Sequence, residues 1–111
     1  MNMNNNFLDL VPQICEGLNW NKDENDFVTL EIQNRGLFNR IAQKVFKKPK
    51  ISYVHLDELG SFVWLLIDGK TDIAKLGVLV KEHSGEKAEP LYEKLAKYFQ
   101  ILKSYDFVVL N

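Results

Sequence analysis

The chain changes its hydrophobic period once, near residue 57, and that change restricts the folds open to it. Before this point apolar residues mostly alternate. Val28, Leu30 and Ile32 fall on one face, and Thr29, Glu31 and Gln33 on the other. This is the period of a strand with one side buried. Leu18 and Trp20 show the same spacing in Gly17–Asn21, and the polar run Lys22–Asp26 separates them from Phe27–Gln33. A hairpin turning at Lys22–Asp26 is therefore expected, and Asn34-Arg35-Gly36 ends its second strand. Leu37–Phe46 interrupts the pattern with apolar residues at 37, 38, 41, 42, 45 and 46, which predicts a short helix ended by Pro49. Ile51–Leu56 is expected as a third strand.

From Asp57 the spacing is helical. Asp57 suits an N-cap, and Leu59, Phe62, Val63, Leu66 and Ile67 follow as an inward face up to Asp68-Gly69. Thr71 or Asp72 caps a second helix, with Ile73, Leu76, Leu79 and Val80 inward and Gly85 as its stop. Pro90 opens a third, with Leu91, Leu95, Tyr98 or Phe99, and Leu102 as its stripe. Phe107–Leu110 is expected as a last short strand. Three short helices followed by a strand suggest a winged helix-turn-helix. At 111 residues the expectation is one domain, 1–111, β-rich over 1–56 and helical over 57–111.

Composition bears on function by exclusion. The net charge of -1 creates no global attraction to nucleic acid or an acidic membrane. Its distribution is uneven: Arg35, Arg40, Lys44, Lys47, Lys48 and Lys50 form a stretch without an acid, whereas 57–111 carries seven Lys against nine Asp and Glu. No apolar run approaches the roughly 20 residues of a membrane span, and 1–6 lacks the basic and apolar regions of a signal peptide. A cytoplasmic protein with a reduced Cys15 is expected. His55 and His83 stand 28 apart and fit no local metal motif. Neither a catalytic nucleophile motif nor a phosphate-binding loop is present, so no enzyme, metal or cofactor is expected.

Two binding classes remain. As a DNA reader, the third helix offers Lys94, Lys97 and Lys103 but also Glu89 and Glu93, and no arginine follows Arg40. That is a poor match to base-edge recognition, and a winged-helix DNA-binding regulator is the alternative reading. As a peptide binder, Lys50–Leu56 has strong β character and no internal proline, so at a sheet edge it offers unpaired backbone groups to an added strand. The same edge equally suits a homodimer.

A pattern of residues extends these readings. Leu56-Asp57-Glu58-Leu59-Gly60-Ser61-Phe62-Val63-Trp64, then Ile67-Asp68-Gly69-Lys70-Thr71, Ile73 with Leu76, Ala88-Glu89-Pro90-Leu91-Tyr92, Leu95, Phe99, Leu102 and Phe107 resemble the PqqD-like family. Asn6–Pro12 and Leu37–Lys50 are similar to the N-terminal part of its stand-alone members. The resemblance implies an α+β fold with a three-stranded antiparallel sheet packed on a winged-helix-like bundle. It also implies a non-enzymatic recognition element that binds the leader of a ribosomally made precursor peptide. That peptide is then presented to a modifying enzyme, such as a radical S-adenosylmethionine enzyme, as in coenzyme PQQ biosynthesis. The peptide would add to the third strand and lie against the third helix. Carried over, this assigns Ser52, Tyr53, Val54 and His55 on the strand, and Tyr92, Leu95 and Phe99 on the helix. Gly60 is expected to permit close helix packing, and Trp64 to be core.

Overall fold

The computed structural model describes residues 7–33 and 51–111. Along the chain the elements are β1 (Pro12–Ile14), β2 (Trp20–Lys22), β3 (Val28–Gln33), β4 (Ile51–His55), α1 (Glu58–Leu66), α2 (Ile73–Ser84), a 3-10 turn (Gly85–Ala88), α3 (Leu91–Ser104) and β5 (Val108–Leu110). The helix expected over Leu37–Phe46 and the basic stretch Arg35–Lys50 lie outside the described residues.

The alternating run forms the centre of an antiparallel sheet ordered β2-β3-β4. Trp20 pairs with Leu30, and Leu30 with Val54. Val28 and Leu30 are fully buried, as the period requires. The polar run before Val28 is a turn because its carboxylate binds backbone. Asp23 accepts from the amides of Asn25 (2.8 Å) and Phe27 (3.0 Å).

Among the described residues the fold is α+β, with helices α1–α3 and antiparallel strands, but the strands make two sheets. The terminal strand β5 pairs with β1, Pro12 opposite Leu110 and Ile14 opposite Val108. The sequence pattern predicts no strand at 12–14. Three residues carry too little period to be seen, and the partner lies almost a full chain length away.

Two aspartates start helices as their positions predict. Asp57 accepts from Gly60 N (2.7 Å), and Asp72 rather than Thr71 caps α2 through Lys75 N (2.9 Å). Between them, Asp68 accepts from the amides of Lys70 and Thr71 (both 2.9 Å) and from the Thr71 hydroxyl (3.0 Å). These bonds, the Lys70 amide first, hold its carboxyl below the ordinary range. Gly69 has φ +75°, a conformation in which any side chain is strained.

The core joins the sheet to all three helices. Trp64, Phe99, Leu30, Ile73 and Leu76 are its largest fully enclosed members, and burial of an aliphatic or Phe side chain contributes about 1.5–3 kcal/mol. Trp64 is core, as expected, and meets Trp20 edge to face at 5.7 Å. At the end of β4 a side chain is spliced into the ladder. Leu56 donates to the Val28 carbonyl (2.9 Å). The return bond is carried by buried Ser61, whose Oγ accepts from Val28 N (2.9 Å) and donates to the Leu56 carbonyl (3.3 Å). The sheet is thereby fixed to α1.

Candidate functional site: a strand edge above a groove

The Leu56–Val28 bond sets the parity of β4. In an antiparallel ladder, hydrogen-bonded pairs alternate with pairs that are not. Val28/Leu56 is bonded, so Leu30/Val54 and Ile32/Ser52 are too. Glu31 donates the other way, to the Asn19 carbonyl (3.0 Å), which agrees. Ser52 and Val54 therefore spend their backbone groups on β3. Tyr53 and His55 aim theirs at the far edge of β4, where no strand lies among the described residues.

Side chains follow the same parity. Ser52 and Val54 share the face of Ile32 and Leu30; Val54 is half-buried against the core, and Ser52 is exposed. Tyr53 and His55 share the outer face with Glu31 and Thr29. Tyr53 is 55% exposed. His55 Nδ1 is 3.0 Å from the Thr29 hydroxyl, directly across the strand pair.

Beside the C-terminal end of β4 runs a groove of about 450 Å³. Leu56, Leu59, Val63, Val80, Leu91 and Leu95 give it apolar walls, and His55, Asp57, Lys94 and Tyr98 supply its polar groups. Helix α3 forms one side because Leu91, Lys94, Leu95 and Tyr98 recur at a spacing of three and four. Lys94 Nζ is turned to the Lys87 carbonyl (3.0 Å). Tyr98 donates to the Gly60 carbonyl (2.7 Å). Burial, and after it the nearby Asp57 charge, pushes its phenol well up, so it remains a donor at any physiological pH.

Of the seven residues assigned from the sequence, the groove brings together His55 and Leu95. Ser52, Tyr53 and Val54 lie on the adjoining strand. Tyr92 is half exposed on another flank of α3, in a hollow with Val78, Lys81 and Glu89. Phe99 is fully buried in the core. The neighbouring aromatic, Tyr98, is the one that faces the groove. Helical phase distinguishes the two only when the groove's position is known, since both border the Leu91–Leu95–Leu102 stripe. Asp57 and Lys94 were legible as a cap and a surface charge, and nothing in the sequence marked them as groove residues.

The reactive side chains are dispersed. Cys15 lies in a separate hollow with Glu16, Glu31 and Asp106. Burial, then Asp106, raises its pKa, which keeps the thiol protonated and weakly nucleophilic. His83 stacks on Phe62 at 3.9 Å. Among the described residues no cluster of three His, Cys, Asp or Glu is placed to hold a metal ion, and no helix is long and apolar enough to cross a membrane.

The family model described as coenzyme PQQ synthesis protein D (PqqD) matches residues 45–108. The matched span takes in β4, all three helices and the start of β5, and so the whole groove. No curated protein and no solved structure matches the chain.

Proposed function

The chain belongs to the PqqD family, and on that premise we propose that it is a non-enzymatic peptide-binding module. Its ligand is the leader segment of a ribosomally made precursor peptide, which it presents to a modifying enzyme such as a radical S-adenosylmethionine protein. The leader adds as a strand along β4. It pairs with the backbone of Tyr53 and His55 and turns every second side chain into the groove against Leu95. Ser52 and Val54 act from the core face, Tyr92 from the outer flank of α3, and Phe99 by supporting the groove from beneath. The module works as one domain in the cytoplasm, its helices in a winged-helix-like arrangement.

One observation carries this reading: the outward backbone groups of β4 stand immediately beside an apolar groove. Main-chain bonds at an edge supply affinity, and pockets for alternate side chains supply specificity. A helix-based DNA reader has no use for either feature. The test is NMR titration of the labelled protein with a peptide enriched on it from a displayed library of random sequences. Shifts concentrated on β4 and the groove face of α3 are expected. Shifts confined to other surfaces, or no enriched peptide, contradict the reading.

A further inference from the structure

Gly60 is held from both ends of its own residue. Its N–H donates to Asp57 Oδ1 and its carbonyl accepts from the Tyr98 hydroxyl, each at 2.7 Å. Asp57 follows β4 by two residues, and Tyr98 belongs to α3. The three residues thus join the two walls of the groove across its floor, and all three line it. The glycine eases this close approach. A Cβ at residue 60 would stand 3.0 Å from Asp57 Oδ1 and 3.4 Å from Tyr98 Cε1. As part of α1, the Gly60 carbonyl also accepts from the helix amide four residues on. The Tyr98 bond is therefore not needed to satisfy that oxygen.

We propose that Asp57, Gly60 and Tyr98 form a clamp that fixes the spacing between the edge strand and α3, with Tyr98 as a positioning residue for the peptide. The proposal rests on the peptide-binding reading above. A groove whose walls are held at the bound spacing does not spend binding energy on ordering them. Without the clamp only a fraction of molecules has the competent spacing, and the apparent Kd is the intrinsic Kd divided by that fraction.

The test is Tyr98→Phe, which keeps the ring and removes only the hydroxyl. The probe is the peptide enriched on the unaltered protein, with Kd measured at room temperature and Tm recorded beside it. The expected Kd rises about five-fold, the effect of one lost hydrogen bond. Gly60→Ala, whose methyl presses on the Asp57 carboxylate, is the second variant and gives the answer if Tyr98→Phe does not fold. Tyr105→Phe removes an exposed phenol at the C-cap of the same helix and leaves Kd unchanged. A merely structural role lowers Tm and leaves Kd alone. If the unaltered protein binds and the variants stay within about three-fold of it, the clamp is overturned and the peptide-binding reading stands. If no peptide is enriched at all, both fall.

Discussion

Replacing Ser61 by alanine removes one oxygen from the point where the sheet meets α1. That oxygen accepts from Val28 N and donates to the Leu56 carbonyl, and it is 1% exposed with the rest of its side chain. Alanine leaves the Val28 N–H buried, with its strand partner's carbonyl too far away to replace the bond. An orphaned buried donor costs about 1–3 kcal/mol. A domain of this size loses about 4 °C in Tm for each kcal/mol, so a fall of about 4–12 °C is expected. Ser104 provides the comparison. Its hydroxyl bonds the Ile101 carbonyl on an exposed turn, and Ser104→Ala is expected to change stability by less than about 0.5 kcal/mol. Both variants are read by urea unfolding and by calorimetry. If Ser61→Ala falls within about 0.5 kcal/mol of the unaltered protein, the spliced ladder contributes nothing and the tie between β4 and α1 lies elsewhere.

Other expectations come from the same geometry. The Asp68 carboxyl titrates lower in the folded chain than in the unfolded one. Its contribution is therefore present above the ordinary carboxylate pKa and disappears as pH falls through the folded value. The Tm difference between Asp68→Asn and the unaltered protein should accordingly close on acidification. A difference that is constant from neutral to strongly acid pH refutes this assignment. Phe99→Ala should cost about 3–5 kcal/mol, because the ring is wholly enclosed. Tyr92→Ala, at a half-exposed position, should cost under about 1 kcal/mol. Equal losses in denaturant unfolding would mean that the assignment of core and flank on α3 is mistaken.

The parts of this fold that were legible in the sequence are those whose physics is local. Val28, Leu30 and Ile32 report a buried strand face by period alone, and Asp57 and Asp72 announce helix starts because a carboxylate there binds free amides. The pairing of β1 with β5 left no trace, since its stability comes from residues almost a hundred positions apart. Ser61 looked unremarkable within Gly60-Ser61-Phe62, although it completes a ladder with Val28. The groove was visible as an edge strand and an apolar helix stripe. Its polar floor was not, because Tyr98 gains meaning only once α3 is laid beside Gly60. The resemblance pointed to the same strand and helix, but adjacent aromatics on a helix differ in direction by about 100°, and Tyr98 rather than Phe99 faces the opening.

The central claim is that β4 takes a peptide strand on its outer edge, and amide hydrogen exchange tests it most directly. Ser52 and Val54 aim their N–H groups at β3 and should exchange slowly with or without peptide. Tyr53 and His55 aim theirs outward; they should exchange quickly in the free protein and slow markedly once an enriched peptide is bound. Unchanged exchange at Tyr53 and His55 in the presence of saturating peptide would contradict the account.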